Sequence, residues 1–109
     1  MDTTQPAPKP GTVAYLGSIA GSPGQAIKAF VDSIYADARL DAKTRELVFL
    51  GVQTALNQEE AIRAHVPRAA AAGATRDEIV AAMMVAVVNG GIYGALRLVP
   101  LADELLKRR

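Results

Sequence analysis

One histidine and no cysteine in 109 residues leave few ways for this chain to do chemistry. Without a thiol there is no thiolate, so disulfide-based redox catalysis is excluded. A single imidazole among scattered carboxylates offers no metal-ligand cluster, so no bound metal is expected. Proton transfer is a chemistry that an imidazole and a carboxylate can carry together. His65 lies in the middle of an apolar stripe, and Glu46, nineteen positions earlier, lies in a segment whose own face carries Phe49, Leu50 and Gln53. A carboxylate in such surroundings must find a partner or become neutral. His65, on the next helix of an antiparallel pair, is the candidate partner; Lys43, one turn away, and bulk water are the alternatives. If the two meet, they form a proton-transfer pair in which the carboxylate sets the tautomer and orientation of the ring. If they do not, His65 is a core or interface histidine. Gln58 shares the His65 face and could bind a substrate oxygen or be solvated at a helix start. Arg68 and Arg97 could hold a substrate carboxylate in a guanidinium fork, or be ordinary surface arginines.

The elements that must position these groups are helices. Ser22-Pro23 reads as an N-cap followed by proline at the first helical position, opening a helix to about Asp37 with Ile27, Phe30, Val31 and Ile34 at helical spacing. Asp41 caps a second helix that runs through Leu56 and stops at Asn57. It is apolar nearly all round and reads as the central, buried one. A third helix spans about Gln58 to Ala72 and ends at Gly73, with a kink or local break expected near Pro67. Thr75 and Glu78 form a capping box that opens the fourth, Asn89-Gly90-Gly91 marks a turn or break, and a final helix reaches Leu106. No strand alternation or internal repeat appears. The fold class is all-α, a single-domain bundle of about five helices over residues 22–109, preceded by a proline-rich segment over 1–21 that is either loose or an exchanged arm.

Half of the residues are hydrophobic, and twenty-one of them are alanine, which favours close helix packing. The uncharged stretch from Ile79 to Leu96 contains Asn89 and three glycines and reads as a buried helix pair rather than a membrane span, packed against a second subunit as well as its own core. The net charge is +1 with basic residues dispersed, which argues against nucleic acid; Lys107, Arg108 and Arg109 read as a solvated tail. The N-terminus has no apolar run of the signal-peptide kind, so a cytoplasmic location is the default. The glycines at 90, 91 and 94 follow a helix, not a strand, and are not a nucleotide fingerprint.

Four segments carry a family resemblance: L-D-A-K-T-R-E-L at 40–47, H-V at 65–66, A-A-A-A-G-A-T-R-D-E-I at 69–79 and N-G-G-I-Y-G at 89–94. Together they make the region from Leu40 to Leu105 resemble the carboxymuconolactone decarboxylase and alkyl hydroperoxidase D-like family. The resemblance implies an all-α fold built on a helix hairpin and assembly into homo-oligomers, commonly trimers or hexamers. Glu46 and His65 match the outer positions of the hydroperoxidase pattern, whose two cysteines fall on Gln58 and Ala61. The decarboxylase branch lacks those cysteines and works without metal or organic cofactor, although it places a carboxylate where this chain has Ala61. Tyr93 and Asn89 flank the glycine turn, where family members line the pocket.

Two readings follow. In one, the chain is a cofactor-free lyase or isomerase acting on a small organic acid or lactone, with His65 as acid/base oriented by Glu46, and Gln58, Tyr93, Asn89 and Arg68 as substrate contacts. In the other, it is a non-catalytic binding or assembly module. An apolar space between Glu46 and His65 filled by Phe49 or Leu50 would favour the module, and an open pocket there the enzyme.

Overall fold

The computed structural model describes residues 7–108, and all regular structure among them is helical. Six α-helices occur in the order α1 (Val13–Ile19), α2 (Gly21–Tyr35), α3 (Ala42–Ala55), α4 (Glu59–Ala71), α5 (Arg76–Met84) and α6 (Ile92–Lys107), with a 3₁₀ helix (Val85–Asn89) between the last two. The chain divides into two compact units, one through Arg39 and the other from Leu40. The sequence reading places its boundary elsewhere, at 21/22. Residues 1–6 of the proline-rich segment, and Arg109 of the basic tail, lie outside the described residues.

The first unit pairs α1 with α2. α1 is the helix that the sequence reading does not contain: Thr12 caps it by accepting the Tyr15 N–H at 3.1 Å. α2 packs closely on it at the buried Gly24, where a side chain would run into the Leu16 carbonyl oxygen. α2 begins at Gly21, so Ser22 and Pro23 lie in its first turn rather than at its cap. Pro23 still costs nothing there, because first-turn N–H groups have no intrahelical acceptor.

The second unit is built outward from the α3–α4 hairpin. The Asp41 carboxylate accepts the Thr44 N–H at 2.7 Å and starts α3. At the other end Asn57 adopts φ 57°, letting the Gln58 N–H reach the Gln53 carbonyl and the Asn57 N–H reach that of Thr54. This left-handed closure reverses the chain into α4. Gly73 (φ 100°) closes α4 in the same pattern, through Ala74 N–H to Ala69 and Gly73 N–H to Ala70. The Thr75–Glu78 capping box then opens α5 as the spacing predicts. Of the kink or break expected near Arg63 to Pro67, the break does not occur: α4 is continuous through Pro67. Pro67 is on the exposed side, where water can satisfy the Arg63 carbonyl that loses its donor.

Leu50, Ile62, Val66, Ile79, Met83 and Leu98 are fully buried and form the core shared by α3, α4, α5 and α6. α3 is central, packing on α4, α5, the 3₁₀ helix and α6, but it is not buried all round: Val48 and Val52 are 54 % and 50 % exposed. The Ile79–Leu96 stretch likewise departs from a buried helix pair, since Val85, Val88, Ile92 and Leu96 face outward. Periodicity locates apolar faces but cannot say which of them one chain is able to cover. Among the described residues, no helix is long and apolar enough to cross a membrane.

Candidate active site

Glu46 and His65 meet. The tight reversal at Asn57 lays α4 antiparallel on α3, bringing a residue in the first half of α3 against one in the middle of α4. His65 Nδ1 stands 2.6 Å from Glu46 Oε1. The carboxylate is only 4 % exposed, while 12 % of the imidazole side chain reaches the surface. Lys43, the alternative partner, turns away to Glu78, 2.7 Å from its carboxylate, and that contact, together with the Thr75 N–H, holds the Glu78 carboxyl below its ordinary range.

The hydrogen bond assigns the protons. A carboxylate can only accept, so Nδ1 carries the hydrogen and donates it to Glu46, and in the neutral ring Nε2 keeps its lone pair. Nε2 is thus the basic nitrogen. Once Nε2 takes a proton, the imidazolium lies directly against a buried negative charge, which stabilises it at a separation where little water intervenes.

Two further side chains complete the constellation. Phe49, one turn beyond Glu46 on the same face of α3, stacks on the imidazole with ring centroids 3.8 Å apart and planes inclined by 29°. It packs against the ring instead of wedging between the pair, so no space separates acid from imidazole. The helical offset of three residues from Glu46 was the available signal for this contact. Arg68, three residues after His65 on α4, brings Nη2 to 3.8 Å of Glu46 Oε2 while remaining half exposed. It lies at the rim of the pair, where it can balance the buried carboxylate or meet an anionic group from solvent.

The other predicted contacts are placed elsewhere. Gln58 is the exposed N-cap of α4, two turns from His65, and its side chain makes no capping bond. Tyr93 is 77 % exposed at the start of α6. Asn89 ends the 3₁₀ helix and lines a cavity of about 450 Å³ with Thr44, Leu47, Gly51, Ala82 and Val85. That cavity is on the side of α3 opposite Glu46, since Gly51 and Ala55 lie roughly half a turn round the helix from Glu46 and Leu50. Arg97 is occupied structurally: it donates to the Asn57 side chain and backbone carbonyl and pairs with Glu59 at 2.5 Å, fastening the hairpin turn to α6.

Fold and pair together define a helical-hairpin protein with a buried carboxylate–imidazole couple and no thiol. Residues 24–104 match the Carboxymuconolactone decarboxylase family, and the chain belongs to it. No curated protein and no solved structure matches the chain.

Proposed function

We propose that this protein is a cofactor-free lyase or isomerase of the carboxymuconolactone decarboxylase type, moving a proton on a small organic acid or lactone through His65. The observation that supports it is the 2.6 Å bond between the buried Glu46 carboxylate and His65 Nδ1, which leaves Nε2 as a base of defined direction. In an isomerisation, Nε2 takes a proton from one substrate carbon and the resulting imidazolium returns it to another. In a decarboxylation, the electron pair of the breaking carbon–carbon bond passes into the substrate's unsaturated system as carbon dioxide leaves, and the imidazolium supplies the proton that takes its place. Glu46 fixes the ring and offsets its charge. Arg68, at the rim of the pair, is suited to hold a substrate carboxylate.

A second reading, a non-catalytic module of the same fold, draws support from Ala61 and from Gln58, Asn89 and Tyr93 lying apart from the pair. The two readings separate in one experiment. A panel of small unsaturated carboxylic acids and lactones is incubated with the protein in deuterated water, and carbon dioxide release and deuterium incorporation are followed. The expected result is turnover by the unsubstituted chain that falls about 10²- to 10⁴-fold in His65→Ala, the usual contribution of a positioned acid/base. Full activity in His65→Ala overturns the proposal, and a panel left wholly unchanged favours the module.

A further inference from the structure

One hydrogen bond does not fix the direction of an imidazole. The torsion that turns the ring about its bond to Cβ is broad and roughly two-fold. The 2.6 Å contact of His65 Nδ1 with Glu46 Oε1 removes the two-fold choice, because a flipped ring would set carbon against the carboxylate. It leaves the plane of the ring loose, since a hydrogen bond tolerates bending to about 150° at the hydrogen. The lone pair of Nε2 lies in that plane. Rocking of the ring therefore swings the line along which a proton is taken or returned.

Phe49 supplies the missing constraint. Its ring is stacked on the imidazole with centroids 3.8 Å apart and planes inclined by 29°, already at van der Waals separation, so the imidazole cannot tilt toward it and loses contact by tilting away. Phe49 is itself partly buried and stands three residues after Glu46 on α3, beside the fully buried Leu50. Acceptor and aromatic plate are thus carried by one helix, which holds them in a set relation. With Nδ1 on Glu46 and one face under Phe49, the His65 side chain is 12 % exposed, and a substrate is left the other face and the perimeter round Nε2. We infer that Phe49 is a positioning residue that sets the plane of the His65 ring, and with it the direction of Nε2, while Glu46 selects the tautomer. In its bearing on turnover this rests on the lyase or isomerase reading of His65; in its bearing on the ring it does not.

Phe49→Leu and Phe49→Tyr separate a flat plate from apolar bulk. In the unsubstituted protein, NMR of the single imidazole is expected to show ring protons shielded by the neighbouring aromatic ring, and a ring order parameter of about 0.85, like that of rigid backbone. Phe49→Leu is expected to keep the helical circular dichroism and the Nδ1–H tautomer, lose the shielding and fall below about 0.6 in ring order. On any acid or lactone that the unsubstituted chain turns over, its kcat is expected to drop roughly tenfold at little-changed KM, since misdirecting an acid/base costs chemistry and not binding. Phe49→Tyr is expected to restore shielding, order and kcat together. Unchanged shielding and order in Phe49→Leu overturn the inference, and so does a loosened ring with full kcat. A raised KM at constant kcat also overturns it, because Phe49 would then be a substrate contact. If the unsubstituted chain turns over nothing, the reading of His65 fails, and the ring measurements decide the role of Phe49 by themselves. Should Phe49→Leu fail to fold, Phe49→Met takes its place as a flexible side chain without a flat face, and a disordered ring in the unsubstituted protein overturns the inference outright.

Discussion

At the scale of single residues, the Glu46–His65 bond makes two separable demands, one on proton placement and one on stability. The proton must sit on Nδ1, because the neighbouring oxygen is a carboxylate acceptor. Long-range ¹H–¹⁵N NMR of the one imidazole is therefore expected to show the Nδ1–H tautomer when the ring is neutral, and Glu46→Ala is expected to release it toward Nε2–H. An Nε2–H pattern in the unsubstituted protein would contradict the geometry. The stability demand is asymmetric. His65→Ala leaves a 4 % exposed carboxylate with the half-exposed Arg68 at 3.8 Å as counter-charge, and removing one partner of a buried pair costs roughly 3 kcal/mol. Glu46→Gln keeps a carbonyl oxygen for the Nδ1 hydrogen and is expected to cost nearer ~1 kcal/mol. Urea midpoints at constant slope measure both, and equal losses would mean that the charge at Glu46 is irrelevant.

Among the elements, the tightest constraint is where α6 crosses the end of α3. A side chain at Gly94 would run into the Thr54 carbonyl oxygen, which is backbone and cannot swing away. Gly94→Ala is therefore expected to destabilise the fold by about 2 kcal/mol or more through overpacking, despite the better helix propensity of alanine, and thermal unfolding would read this as a lowered midpoint. A neutral or raised midpoint would show that α6 can slide. The same elements show what could be read in advance and what could not. Caps are local chemistry, so Asp41 and the Thr75–Glu78 box open α3 and α5 where their spacing predicts. The Glu46–His65 meeting was also legible, because a short reversal at Asn57 leaves an antiparallel hairpin little freedom of register. α1 was not legible: seven residues hold too few turns to show a period, and the flanking Gly11 and Gly21 read as loop. Nor could Gln58, Asn89 and Tyr93 be placed from sequence, since their positions depend on how three elements cross.

Across the whole molecule, the second unit is strapped by ion pairs that run between helices. Lys43–Glu78 joins α3 to α5, Arg76–Asp103 joins α5 to α6, and Arg97–Glu59 joins α6 to α4. Each carboxyl is held below its ordinary value by its cation: Glu78 by Lys43, Asp103 by Arg76, and Glu59 by Arg63 with Arg97. The sign of the pH effect follows from these directions. Above the ordinary values of 4.5 for glutamate and 3.8 for aspartate, folded and unfolded chains are both ionised and the straps contribute in full. As the pH falls past those values, the unfolded chain takes up protons that the folded chain still refuses, so unfolding gains free energy from proton uptake and stability declines until the depressed folded-state values are passed. Urea unfolding across a pH series should thus show a plateau in the neutral range and a fall beginning near pH 4.5. All three pairs are partly solvated, so salt should lower the plateau modestly and flatten the fall, because screening weakens surface pairs first. A stability that rises below pH 4.5 would reverse the sign required by every one of these contacts.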